Sequence, residues 1–298
     1  MTTVVWATCA ELPDGDPDDH LALPAMAEVG LDVRYQVWDD PSADWSAPTV
    51  VRSTWDYATR REEFLAWSGT VPTLWNPADV LAWSTDKTYL DELAAAGLPV
   101  APSTTVRPGE QDRLDDVVAA ALAESATVVV KPTVSAGSKD TRRHGDPRAA
   151  TDHAADLLRA GRPVLVQPYL EAVDTDGETG LVVVDGVVSH VFRKGQLLHA
   201  EAEATPGLYA VEDIRAREAT PAQRRLAADV TAWLAARFPA HAPLLYARVD
   251  TVPGPDGEPV LLELELTEPS LWFVADDSGA STRAWARALA QRVRTLPA

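Results

Sequence analysis

The stretch LLYARVDTVPGPDGEPVLLELELTEPS (244–270) constrains this chain more than any other. Leucine and glutamate alternate from Leu262 to Leu266, the period of a strand with one apolar face. The Asp256-Gly257 pair upstream signals a hairpin turn, so the chain returns and brings Asp250 opposite the glutamates. Residues two apart on a strand point the same way, so Glu263 and Glu265 aim their carboxylates at one place, about 7 Å apart by strand rise. Like charges so placed repel unless solvent or a cation intervenes. Two readings fit. The glutamates can form the solvated face of an edge strand, or the three carboxylates can form a hard-oxygen cage suited to Mg²⁺. The six histidines show no H-x-x-x-H spacing and Cys9 is the only cysteine, so nothing competes for a zinc assignment.

Upstream, ETGLVVVDGVVSHVFRKG (178–195) reads as another hairpin, turning at Asp185-Gly186. The start of the chain reads differently. Strands over 2–8, 31–38 and 49–55 and a short run at 73–77 alternate with helices at about 18–29 and 61–69, the pattern of a parallel α/β sheet. Farther on come a helix from Asp86, a strand over 103–107, a helix over 112–125 and a buried-type strand over 126–132. A small-residue loop (133–144), a helix (150–161) and a strand (164–170) follow, then a loop over 196–212 and a helix over 221–238. Antiparallel hairpins after a parallel start imply separate subdomains within an α/β (α+β) chain.

Bulk composition narrows the function. A net charge of −19 leaves no basic excess to displace nucleic-acid counterions. No apolar run reaches 18 residues, so no membrane span is expected. The start MTTVVWATCAELPDGDPDDH lacks a basic segment and a long apolar core, so no signal peptide is expected and a cytoplasmic location fits.

Lys131 ends the strand ATVVVKP and precedes a loop bearing Ser135, Gly137 and Ser138. A lysine there can reach a phosphate while loop N–H groups cradle the rest; an ordinary turn beside a surface lysine fits as well. Lys87, Arg193 and Arg248 are further cations beside strands or helix starts. In VLVQPYLEAVDTDGETG (164–180) a Pro-containing hinge is followed by a carboxylate, Glu178. Such a hinge can read an adenine edge and the carboxylate can hold a ribose.

The order of these pieces, from a lysine through the Ser/Gly loop, the hinge and an arginine to the Asp…Glu-x-Glu hairpin, resembles the ATP-grasp superfamily over about residues 86–270. It is most similar to the glutathione synthetase and D-alanine:D-alanine ligase branch. The resemblance implies an ATP-grasp fold with an N-terminal Rossmann-like domain over 1–85. The ATP-grasp domain would span 86–298, its lid at about 103–168 and its catalytic subdomain at about 169–298. It implies that Lys87, Lys131 and the loop with Ser135, Gly137 and Ser138 hold ATP phosphates. Gln167, Tyr169, Leu170 and Glu171 would sit at the adenine, Glu178 at the ribose, and Arg193 near the γ-phosphate. Arg193, Arg248 and Lys131 would be the catalytic cations. Asp250, Glu263 and Glu265 would hold two Mg²⁺ ions, with Mn²⁺ able to substitute. Two departures stand out: Glu265 replaces the usual asparagine, and the phosphate loop is rich in serine rather than glycine.

The implied chemistry is activation of a substrate carboxylate as an acyl phosphate, followed by attack of an amine. The 196–212 loop would close over the site against water. Arg52 in RSTWDY (52–57) stands at a strand end, where it can pair with a substrate carboxylate, and Ser53, Asp56 and Tyr57 can orient an amino group. A packed interdomain loop anchored by Trp55 fits this segment equally. The whole chain further resembles a small group of these ligases that includes cyclo-ligases forming D-cycloserine from O-ureido-D-serine. An intermolecular amino-acid or dipeptide ligase, or a non-catalytic nucleotide-binding module, are the alternatives. The expected partner is a small amino-acid-like molecule, with a homodimer as the expected assembly.

Overall fold

The computed structural model describes residues 1–195 and 212–296, so the expected closing loop lies outside the described residues except for Glu212. The first sheet is parallel, built from β1 (Thr2–Thr8), β2 (Leu31–Val37), β3 (Thr49–Ser53) and β4 (Leu74–Trp75), in the order β2-β1-β3-β4. Three helices connect or follow these strands: α1 (Leu23–Glu28), α2 (Arg61–Ser68) and α3 (Ala78–Ser84). The helix expected from Asp18 or Asp19 opens instead as a 3-10 turn over Asp19–Ala22, with Pro24 near the start of α1. Proline there already has a helical φ and loses no needed donor.

α4 (Tyr89–Ala95) leads to the second sheet. This sheet holds β5 (Thr104–Val106), β6 (Val128–Pro132), β7 (Arg142–His144) and β8 (Val164–Pro168), antiparallel in the order β5-β8-β6-β7. It is backed by α5 (Leu114–Glu124) and α6 (Pro147–Arg159) through Leu114, Val118, Ala154 and Leu158. α6 starts where the Asp146 carboxylate accepts from the Arg148 N–H at 3.0 Å, a side-chain N-cap.

α7 (Ala172–Asp176) turns the chain into the third sheet. There β9 (Glu178–Val184), β10 (Val187–Lys194), β11 (Ile214–Ala216), β12 (Tyr246–Pro253) and β13 (Pro259–Glu265) lie antiparallel in the order β11-β10-β9-β12-β13. α8 (Pro221–Arg237), opened by a Thr220/Gln223 capping box, covers one face through Leu226, Val230 and Leu234. The other face is apolar only toward one end. There Val182, Val184, Phe192 and Tyr246 pack on Trp285 and Leu289 of α9 (Ala280–Thr295), in a core that also takes Trp6 and Met26. That shared core joins the first and third sheets. Polar clamps complete the joint: Asn76 Nδ2 donates to the carbonyls of Tyr246 (2.9 Å) and Leu266 (2.7 Å), and Trp55 Nε1 donates to that of Glu268 (2.9 Å). Among the described residues, no helix is long and apolar enough to cross a membrane.

Candidate active site

The sheets meet around a cavity of about 610 Å³, within the roughly 300–1,000 Å³ of small-molecule sites. Its floor is the polar end of the third sheet. Arg248 and Asp250 stand on β12, cross-strand from Glu265 and Glu263 on β13. Glu178 of β9 pairs with Lys194 of β10.

Lys87 is tied to the loop after β6: its N–H donates to the Thr133 carbonyl (2.8 Å), and its ammonium donates to the Ser135 carbonyl (2.8 Å) and contacts Glu263 at 3.0 Å. Lys131 is buried beside it, and burial lowers its pKa. Ser135, Gly137 and Ser138 line the cavity, with φ positive at Gly137 and Ser138. The structure thus brings both expected lysines and the expected loop together.

The third cation is not the expected one. Arg193 donates to the Asp176 carbonyl (2.7 Å) and does not line the cavity. Lys194 does, 3.0 Å from Glu178 and 3.7 Å from Glu212. A β-bulge explains the correction. Counted from the Asp185-Gly186 turn, Arg193 would pair with Glu178, but the register shifts by one between Val188 and His190. One extra residue exchanges the faces of everything beyond it. Burial works against the Lys194 ammonium, yet Glu178, Glu212 and Asp250 outweigh it and hold its pKa well above the ordinary value.

The carboxylates are also arranged differently from expectation. Arg248 grips both oxygens of Asp250 (2.7–3.0 Å) and reaches Glu265 at 2.5 Å. Among the described residues, no group of three or more His, Cys, Asp or Glu side chains is placed to hold a metal ion. The expected three-carboxylate cage is therefore not preassembled among the described residues: two of its members, Asp250 and Glu265, are paired with the Arg248 guanidinium. Glu263 and Glu265 still line the cavity as hard-oxygen donors, and Asp250 is buried behind them. The donor chemistry fits Mg²⁺. Burial would raise the Glu263 carboxyl, but Lys87, Lys131 and Lys194 pull it down to about 2. Glu265 goes the other way: burial and the charges of Glu263 and Asp250 outweigh Arg248 and raise it to about 7.

At the hinge, Gln167, Tyr169, Leu170 and Glu178 line the cavity. Gln167 Nε2 is buried without a partner among the described residues, and the Tyr169 ring lies under Arg143, 3.5 Å from its guanidinium carbon. Glu171 is exposed and off the lining, since it caps α7 facing outward.

Of the four residues expected to meet substrate, only Tyr57 reaches the cavity. Arg52 is fully buried in a bidentate pair with Asp19 at 2.6–3.2 Å. Ser53 Oγ bonds Thr8 Oγ1 (2.8 Å), and Asp56 accepts from Trp38 Nε1 (2.8 Å) and pairs with Arg60. These side chains hold the N-terminal unit together.

Their place is taken by residues that sequence reasoning missed. Asp16, Asp18, Glu268, Ser270 and Trp272 line the cavity beside Trp55, the residue that the alternative reading of 52–57 as a packed interdomain loop made its anchor. Asp16 accepts from Ser270 Oγ (2.7 Å), and Asp18 from the N–H groups of Phe273 (2.8 Å) and Val274 (2.9 Å). Burial raises the Asp18 carboxyl to about 6, those N–H groups opposing it. The cavity thus gathers its three lysines among ion-paired carboxylates at one end, and carries Asp16, Asp18 and Glu268 without an ion pair at the other.

Likeness to known proteins gives this geometry its class. A solved ATP-grasp protein with a RimK domain from Sphaerobacter thermophilus DSM 20745 superposes with a TM-score of 0.63 at 17% identity, covering 96% of this chain and 98% of that one. The fold is that of the ATP-grasp enzymes. Residues 4–76 match the family model described as the D-cycloserine synthetase DcsG N-terminal domain. The cycloserine biosynthesis protein DcsG of Streptomyces lavendulae is 41% identical over 288 residues, 94% of this chain and 95% of that protein. The crystal structure of D-cycloserine synthetase DcsG superposes with a TM-score of 0.85 at 38% identity, covering 98% and 99% of the two chains. The chain belongs to the DcsG-like family of ATP-grasp ligases, and is an ATP-dependent ligase that forms a C–N bond.

Proposed function

We propose that this enzyme closes O-ureido-D-serine to D-cycloserine, within an N-terminal unit over 1–85 and an ATP-grasp portion over 86–298. The observation that carries the reading is the division of one cavity into a lysine-rich end and an acidic end, with Arg248 and Glu265 at the seam. The near full-length likeness to DcsG supports the choice of substrate.

The hinge at Gln167, Tyr169 and Leu170 takes the adenine, and Glu178 the ribose. Lys87, Lys131 and Lys194 neutralise the phosphates while the substrate carboxylate attacks the γ-phosphorus, giving an acyl phosphate and ADP. Arg248 holds the carboxylate and the oxyanion that develops when nitrogen attacks the acyl carbon. Glu263 and Glu265, with Asp250 behind them, would hold two Mg²⁺ ions, for which Mn²⁺ can substitute. When bound, the metal neutralises the transferring phosphoryl group. The ring nitrogen's carbamoyl group leaves through water as CO₂ and ammonia. The test is ADP release over a panel of amino acids and O-ureido-D-serine, with Glu263→Ala as control. Stimulation by O-ureido-D-serine alone is expected; no stimulation by any compound, despite ATP binding, overturns the reading.

A further inference from the structure

The second half of the reaction needs a proton acceptor. The attacking nitrogen of O-ureido-D-serine carries an acyl group, and such a nitrogen is a poor nucleophile until its proton is drawn off. Among the described residues, seven carboxylates line the cavity, and six are already engaged. Glu178 and Glu212 pair with Lys194, Glu263 with Lys87, and Glu265 with Arg248. Asp18 accepts from two backbone N–H groups and Asp16 from Ser270. Glu268 alone forms no ion pair and accepts no N–H on its carboxylate among the described residues; the Tyr57 phenol hydrogen-bonds it, while Lys87, Glu263 and Glu265 act on it through their charges without pairing with it.

Glu268 is also held in place. It follows β13 by three residues, its carbonyl accepts from Trp55 Nε1 at 2.9 Å, and the next residue but one, Ser270, is tied to Asp16. Its carboxylate therefore belongs to a fixed wall of the cavity.

We propose that Glu268, oriented by Tyr57, is the general base of the C–N bond-forming step. The assignment rests on the function proposed above. The nitrogen lone pair forms the C–N bond, and the acyl C–O bond breaks with its electron pair going to phosphate. The N–H proton passes to the Glu268 carboxylate and from there to the released phosphate. Burial first, then the charges of Glu265 and Glu263, push the Glu268 carboxyl up to about 8 against the opposing pull of Lys87 and the Tyr57 hydroxyl, close to the operating range in which a base is most effective.

The test separates the two half-reactions. Wild type and Glu268→Gln are given Mg-ATP and O-ureido-D-serine. Acyl phosphate is trapped as the hydroxamate with hydroxylamine, and ring closure is followed by product mass. Glu268→Gln is expected to trap hydroxamate within about threefold of wild type while closing the ring on the order of 10²–10³-fold more slowly. The rise of ring-closure rate toward pH 8 disappears in Glu268→Gln and returns, displaced, in Glu268→Asp, which also serves if the glutamine variant does not fold. Unchanged ring closure in Glu268→Gln, an equal loss in both half-reactions, or a raised KM with unchanged kcat overturns the assignment. Failure of the wild type to trap hydroxamate overturns the underlying function, and the assignment with it.

Discussion

Two hairpins of one sheet supply most of the polar site, and they differ in where their irregularity falls. In β12–β13 the register shifts between Asp250 and Thr251, on the turn side of the functional residues. Glu263 and Glu265 therefore keep simple alternation with each other, and Asp250 stays opposite Glu263. In β9–β10 the shift between Val188 and His190 lies between the turn and the functional end. Lys194 then faces the cavity and Arg193 does not. Alternation is a safe guide within a stretch and an unsafe one across a bulge.

The largest expected effect breaks the first hairpin. Arg248→Met leaves Asp250 as a buried, unpaired carboxylate beside the half-buried Glu265, so we expect destabilisation of about 3–5 kcal/mol in a urea melt, together with loss of ligase activity. Wild-type stability would remove Arg248 from the centre of the site. The second hairpin is tested by a pair of variants. Lys194→Met should lower kcat/KM for ATP on the order of 10²-fold, the scale of a lost charge-stabilising donor, while Arg193→Met stays within about threefold of wild type. The reverse ranking would contradict the bulged register.

A smaller effect probes packing behind both hairpins. A Cβ at Gly180 would lie 2.2 Å from the Phe192 ring, so Gly180→Ala should cost about 1–3 kcal/mol by overpacking, seen as a lower urea midpoint.

The smallest is pH-dependent and belongs to the acidic end. With its folded carboxyl pushed up to about 6 by burial, above the ordinary aspartate value, Asp18 keeps its proton in the native state over a window where the unfolded chain has lost it. Native stability from this group is greatest below the unfolded value and falls as pH rises through about 6. In metal-free protein, Tm of Asp18→Asn minus Tm of wild type should therefore increase between pH 5 and 7. A flat difference would show that Asp18 is not perturbed.

Much of the fold is legible locally. β1 spans the expected residues, and β6, β8 and both hairpins lie within their expected stretches because each is a short apolar run bounded by turn residues. α9 was not among the expected elements, although Ser281, Trp285 and Leu289 recur every four residues and are buried. The three lysine-loop elements and the carboxylate pair could be read because their chemistry lies in consecutive or alternating residues. The acidic end could not. It exists only because the 14–20 and 52–57 loops dock on 266–276, contacts as distant as Trp55 to Glu268, 213 residues apart. Arg52 misleads for the same reason, since the Asp19 that neutralises it arrives from another loop.

The most direct test of the central claim is the mass of the product formed from O-ureido-D-serine and Mg-ATP with no second amine present. A product of D-cycloserine mass, formed one-to-one with ADP and lost in Lys194→Met, is the predicted result. ADP formed without that product, or only when a second amino acid is added, would contradict it.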